Sequence, residues 1–414
     1  MRIVYERCAG LDVHKKTVVA CRVTPDGKGG WQSEVRTFNT MLDGLLALAD
    51  WLRVGGVTHV ALESTGVFWK PTFNVLEGEF EVILANAKHI KFVPGRKTDV
   101  KDAQWIADLL HHGLLSASFI PAAPQRELRA LVRYRTHLVE ERTREINRVH
   151  QVLEDANLKL GSVATDIMGV SGREMLAAII AGKDDPAALA QLAKARLRTK
   201  IAELERALTG RIHDSHRLLL RLHLDHIDEL NAKITELEGE IGQRLSPFDQ
   251  DDLLARLQTI PGVGEQVAHV IVAEVGIDMH RFKTANHLAS WAGLAPGKNE
   301  SAGRNRSAKT SKANRYLKST LVEAAQAVGH KHDTQLAAQF HRLAARRGKK
   351  RAAVAVARSI LVIAYHIIRR GTVYEVLGAN YYDERKTDAI QQHLVKRLEH
   401  LGFKVTLQPQ AAAA

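Results

Sequence analysis

Four carboxylates in the first quarter of the chain have the types and spacing for phosphodiester chemistry. Asp12 stands near the end of an apolar run, Cys8–Val13, that reads as a first strand. Glu63 closes a second run, 58–62, and opens the segment Glu63-Ser64-Thr65-Gly66. Asp99 and Asp102 are three residues apart at the start of a helix expected over 99–110, with Thr98 placed as its N-cap, so they share one helical face. One sheet can bring four such element ends together. Hydrolysis or transfer at phosphorus needs this type of set, because two hard cations about 4 Å apart activate the attacking oxygen and stabilise the leaving one. Carboxylate oxygens hold Mg²⁺, or Mn²⁺, while leaving positions open to phosphate. Each acid also has a plainer reading. Acids at strand ends are common, an Asp at a helix start favours the dipole, and most charged side chains are simply solvated.

As a set the acids say more. A strand Asp, a strand Glu and a helical Asp-x-x-Asp fall in RNase H-like order, which makes an α/β domain over 1–120 the expected fold. The surrounding pattern agrees. Stretches 17–23, 35–38 and 80–85 read as further strands, Pro25-Asp26-Gly27 as a turn, and 42–51 as a helix.

A second chemistry lies in a Gly/Ser/Lys/Arg-rich loop at 296–312. Ser301-Ala302-Gly303-Arg304-Asn305-Arg306 leads to Lys309, Lys312 and Arg315. A serine among cations is a candidate nucleophile toward phosphate, with Arg304, Arg306 and Lys309 as phosphate clamps. The alternative is a phosphate-binding loop whose serine is polar filler, and Ser307, Ser311 and Ser319 compete for the role. Upstream, Ile260-Pro261-Gly262-Val263-Gly264 between helices has a helix-hairpin-helix pattern. Gly262 and Gly264 would present backbone N–H groups to a phosphate, or merely punctuate a corner. The run Arg346-Arg347-Gly348-Lys349-Lys350-Arg351 reads as a backbone-contacting or solvated patch.

The elements between these sites are helical. Pro121 and Pro124 mark a boundary. Segment 125–160 reads as one long basic helix, with Leu128, Leu131, Leu138, Val139, Ile146, Val149 and Leu153 as its apolar stripe. Arg126, Arg129, Arg133, Arg135, Arg142, Arg144 and Arg148 decorate the rest, and Arg129 and Arg133 are candidate nucleic-acid contacts. Segment 211–245 reads as a second long helix. Its Leu220, Leu224, Ile227, Leu230, Ile234, Leu237 and Ile241 step by three and four as a coiled-coil seam. The division is a 125–246 region for RNA binding and oligomerisation, an all-α domain over 251–385, and a tail over 386–414. His213, His216, His223 and His226 lack the cysteine partners of a structural zinc site and read as solvated or RNA-facing.

Composition sets the outer limits. Over 414 residues, Lys plus Arg is 59 against 46 Asp plus Glu, a formal charge of +13, which suits a polyanionic partner. Cys8 and Cys21 are the two cysteines, read as buried thiols in a reducing compartment. No run of eighteen apolar residues suggests a membrane span, and the charged start does not read as a secretory signal.

In this order the pieces resemble the insertion sequence 110 type transposases, which include the Piv-like invertases. The likeness rests on Gly10-Leu11-Asp12-Val13-His14-Lys15, Glu63-Ser64-Thr65-Gly66, Lys97-Thr98-Asp99-Val100-Lys101-Asp102-Ala103, Ile260-Pro261-Gly262-Val263-Gly264, Gly293-Leu294-Ala295-Pro296 and Asn314-Arg315-Tyr316-Leu317. The resemblance implies a RuvC-like N-terminal domain whose Asp12, Glu63, Asp99 and Asp102 carry Mg²⁺. It implies a C-terminal domain whose serine forms a covalent DNA intermediate. That serine maps to Ser301, where Ser301-Ala302-Gly303 departs from the family's usual Ser-Gly or Ser-Ser-Gly. It also implies a bridge-type non-coding RNA pairing with donor element ends and target DNA, a dimer or tetramer, and a bacterial, cytoplasmic, nucleoid-associated protein. Two other classes compete. A RuvC-type junction nuclease would use water and no serine, and a non-catalytic assembly factor would need none of the acids.

Overall fold

The computed structural model describes residues 2–64, 66–85, 102–296, 300–301, 304–305, 310, 313–384 and 387–408. Of 300, 301, 304, 305, 383, 384, 389 and 390 it describes the backbone alone. The chain falls into two units, Met1–Pro121 and Ala122–Ala414.

The first unit is built on a mixed five-stranded sheet of order β3-β2-β1-β4-β5. Strands β1 (Cys8–Val13), β2 (Thr17–Pro25) and β3 (Trp31–Asn39) form an antiparallel meander. Then β4 (His59–Glu63) and β5 (Glu81–Ala85) add in parallel on the other side of β1. Helices α1 (Leu42–Val54) and α2 (Trp69–Leu76) supply the parallel crossovers. This mixed sheet is consistent with the RNase H-like expectation. The third strand is longer than the 35–38 read from sequence, because its faces are mostly exposed and carry no clean apolar alternation.

Central position makes β1 apolar on both faces. Ala9, Leu11 and Val13 pack with Leu45, Leu48 and Leu52 of α1, whereas Cys8 packs with Ala61 and with Ile106, Leu109 and Leu110 of α3 (Asp102–His111). Gly10 explains how α3 comes so close. A Cβ there would lie 2.2 Å from the Ala107 backbone nitrogen and 2.4 Å from the Ala103 carbonyl oxygen. Small residues on both sides let helix and strand touch backbone to backbone.

The second unit is helical. Two long helices, α4 (Ala123–Asp155) and α5 (Asp214–Leu245), pack on each other. The heptad-like seam is filled from within the chain: Leu230 and Ile234 meet Leu138, while Leu220, Leu224 and Ile227 share a core with Val149, Val152 and Leu153. The apolar stripe expected to mediate oligomerisation is thus covered by this intramolecular partner.

Beyond it lie α6 (Leu253–Gln258), α7 (Glu265–Val275), α8 (Ala285–Trp291), α9 (Arg315–Val328), α10 (Gln335–Arg347) and α11 (Lys349–Arg370). The last is long and apolar enough to cross a bilayer by length and composition alone, although it contains no run of eighteen apolar residues. Its apolar face, from Ala353 to Ile367, is spent instead on α8, α9 and α10.

Candidate active site

Parallel register sets the first two acids side by side. Leu11 pairs with Leu62, so Asp12 and Glu63 each sit one residue further along neighbouring strands. Side chains two apart on a strand share a face. Asp12 therefore shares the face of Gly10, and Glu63 that of Ala61, which is the face covered by α3. Asp102 opens α3. Three of the four predicted acids are brought to one edge of one sheet face. Asp99 and the Thr98 cap lie outside the described residues.

The electrostatics report the gathering. The Asp12 carboxyl is pushed above the ordinary carboxylate range, first by burial, with Asp102 and Glu63 adding repulsion. His14 opposes the shift, its Nε2 lying 3.1 Å from Asp12 Oδ2. Among the described residues no three His, Cys, Asp or Glu close into a finished metal-ligand group. The donor chemistry nonetheless suits a divalent cation: hard oxygens, partly buried, with negative charge concentrated where a cation would relieve it.

In the second unit Ser301 lies on a two-stranded hairpin, with Glu300 paired to Asn305 and Ser301 to Arg304. A bridge from Pro296 to Thr310 closes the loop's foot, and Lys318 Nζ of α9 donates to Thr310 Oγ1. Arg306, Lys309, Lys312, Ser307 and Ser311 lie outside the described residues, as do the side chains of Ser301 and Arg304. The rival Ser319 sits within α9, its hydroxyl donating to the carbonyls of Arg315 and Tyr316.

The glycine turn between α6 and α7 divides its two candidates. Gly262 has φ +87° and faces inward, where a Cβ would come 2.5 Å from Val328 Cγ2 and 2.7 Å from the Ala324 oxygen. Gly264 has open space around it and precedes α7.

The basic long helix differs most from expectation. Arg129 and Arg133, read as nucleic-acid contacts, hold a carboxylate of their own unit. Glu274, fully buried, receives Arg133 Nε at 2.6 Å and its second guanidinium nitrogen at 2.8 Å. Arg129 Nε lies 3.2 Å away, and Asn314 Nδ2 donates at 2.7 Å. Arg129 also donates to the Ala273 and Glu274 carbonyls. Burial drives its pKa down to about 10, although Glu274 works against the shift. Asn314 additionally caps α9 by accepting from the Leu317 N–H. Arg135 is held by Glu238, Arg142 by Asn231, and Arg148 by Glu145. Much of the stripe's charge is therefore neutralised internally.

The histidines are corrected similarly. His216 is buried, bonded to Asp155 at 3.0 Å and to the His213 backbone, and His223 meets Glu145 at 2.8 Å. Sequence reasoning missed the Glu274 cluster. Its one signal was an acid inside the apolar run Val270-Ile271-Val272-Ala273-Glu274-Val275, since a buried charge requires partners.

Two family models match the chain. A transposase family of the DEDD IS110 type covers residues 9–158, and the transposase IS116/IS110/IS902 family covers residues 254–342. The transposase for insertion sequence element IS1111A of Coxiella burnetii is 26% identical over 371 residues, covering 88% of this chain and 90% of that protein. A probable family 20 transposase of Pseudomonas aeruginosa is 26% identical, over 68% of this chain and 75% of its own length. The pilin gene-inverting protein of Moraxella lacunata is 28% identical over 155 residues, 36% of this chain and 48% of that protein.

Proposed function

This chain belongs to the IS110-type transposases and is a DNA transposase or recombinase, and on that premise we propose that it cuts and rejoins DNA with a divalent cation at Asp12, Glu63, Asp99 and Asp102 and with Ser301 as the nucleophile. The observation carrying the metal half is the Asp12 carboxyl, whose proton affinity is raised by burial and by the adjoining Asp102 and Glu63 charges. Mg²⁺ or Mn²⁺, when bound, would neutralise these carboxylates and polarise a phosphate oxygen. The chain's own part is positional. Strands β1 and β4 fix Asp12 and Glu63, and the close seat of α3 on Gly10 fixes Asp102.

In the serine half, the Ser301 oxygen bonds to phosphorus, a deoxyribose oxygen leaves and the serine proton passes to solvent or to that oxygen. The phosphodiester bond energy is kept in the protein–DNA link and is returned when the new strand's hydroxyl displaces serine. Sequence choice would come from a bridge-type RNA pairing with donor and target DNA, with a dimer or tetramer holding both partners. The likeness to the pilin gene-inverting protein supports rejoining as well as cutting.

A denaturing gel tests the reading. The protein is incubated with its element's non-coding RNA, Mg²⁺ and labelled element-end DNA, beside Ser301→Ala and Asp102→Ala. The expected result is a slow protein–DNA band in wild type that both variants lose. Free cleaved DNA without that band, still produced by Ser301→Ala, would replace this reading with a junction nuclease.

A further inference from the structure

We propose that the groove between α9 and α11 seats one nucleotide of the DNA strand being processed, with the base or deoxyribose on its apolar floor and the flanking phosphates on its basic rim. The groove holds about 680 Å³, within the range of sites that enclose a small organic group. Ala313, Val322 and Val354 give it a mostly apolar wall, and Arg315, Lys318 and Lys350 stand around it. Among the described residues no Asp or Glu lines it, and of its three cations only Arg315 is paired with a carboxylate, that of Glu140 on α4. An apolar floor beside Lys318 and Lys350, neither of which has a carboxylate within salt-bridge distance among the described residues, fits a nucleotide in a strand: ring or sugar below, phosphates beside it. A peptide of ordinary composition has no comparable use for a basic rim of this kind.

Its location adds to the argument. Thr310 lines the groove and also closes the foot of the Ser301 loop, where it pairs with Pro296. The groove thus opens beside the loop that carries the proposed nucleophile. At its other side Lys350 leads to Arg347, Lys349 and Arg351, all exposed. Among the described residues none of these four has a carboxylate within salt-bridge distance. Lys349, Lys350 and Arg351 also occupy the first turn of a 22-residue helix with no acid in that turn. Cations are unfavourable at this end of a helix, and a phosphate would offset both the dipole and the mutual repulsion.

The inference rests on DNA being the substrate, so its test scores the two ideas separately. Cys8 and Cys21 are buried and their thiols are pushed up to about 12 and about 11, so a thiol added on the surface is the reactive one. Ser319→Cys places it on the groove wall, and Ser162→Cys, at another exposed position, is the control. Full-length protein is mixed with its RNA, Mg²⁺ and an element-end duplex bearing disulfide-activated tethers on single nucleotides.

The expected outcome is crosslinking at 319 at least tenfold above the control, confined to one or two nucleotides and reduced at least fivefold by Lys350→Glu in the same background. Equal yields at 319 and 162, or indifference to Lys350→Glu, would overturn the proposal. So would a crosslink that follows the RNA, or a disulfide between two protein copies at 319. The Ser301–DNA band is read on the same gel. If that band forms without a crosslink, the groove assignment alone fails. If the crosslink forms without the band, the groove stands and the serine chemistry fails.

Discussion

Each unit gathers charge around a carboxylate, and the two do so in opposite ways. At Glu274 the carboxylate is fully buried and satisfied from within by Arg129, Arg133 and Asn314. At Asp12 the neighbours that matter are two further acids and a mostly exposed histidine. A cluster neutralised by the chain's own cations is part of the architecture. A cluster that concentrates like charge costs folding free energy, and it makes sense where an ion from outside relieves it. The two differ in burial and in the number of acids as well, but net charge is the difference that bears on an ion from outside.

That contrast can be broken by mutation. Asp12→Asn is expected to lower DNA cleavage by roughly three orders of magnitude or more, since a ligand and its charge stabilisation are lost together. The same change should leave the metal-free thermal midpoint unchanged or higher. The Asp12 proton affinity is raised in the folded state, so its charged form opposes folding at neutral pH and its removal relieves that cost. A large drop in the thermal midpoint would mean that Asp12 is structural.

Glu274→Gln should do the reverse. Two guanidiniums lose their counter-charge inside the unit, at a cost of about 3 kcal/mol or more in urea unfolding, while the carboxylates of the first unit are untouched. If Glu274→Gln were as stable as wild type, the cluster would not be the structural node described above.

Gly10→Ala tests whether the close seat of α3 matters. An added Cβ meets the α3 backbone at 2.2 Å, so α3 must move and Asp102 with it. The expected cost is about 1–3 kcal/mol for overpacking, with cleavage falling further than stability explains. Asn314→Ser is the mildest case. Serine still caps α9 but is too short to reach Glu274, so a loss of about 1 kcal/mol is expected; Asn314→Ala, which loses the cap as well, should lose about 1 kcal/mol more.

The sequence made the acid set legible because its markers are local. Apolar runs ending in Asp12 and Glu63 identify strand ends without any knowledge of partners. The seam from Leu220 to Ile241 was legible too, but what covers it was not. Periodicity says which face of a helix is apolar, and an identical pattern serves a neighbouring helix of the same chain or a second molecule. The internal partners of the arginines were not legible for a related reason. Arg133 and Glu274 are joined across 141 positions, and nothing local to either tells an inward guanidinium from a phosphate-facing one. The role of Gly10 was likewise invisible, since a missing side chain leaves no mark on a hydropathy pattern.

The seat of α3 on Gly10 also has a consequence in time. Asp12 and Asp102 are ninety positions apart in the chain, and α3 can dock only after β4 and β5 have been synthesised. At synthesis rates of about 5–20 residues per second, roughly 5–18 s separate the first acid from the last. Throughout that interval the nascent chain carries strands but no assembled carboxylate edge. On the proposed carboxylate site, a truncated product ending before α3 would be unable to cut the nucleic acid around it.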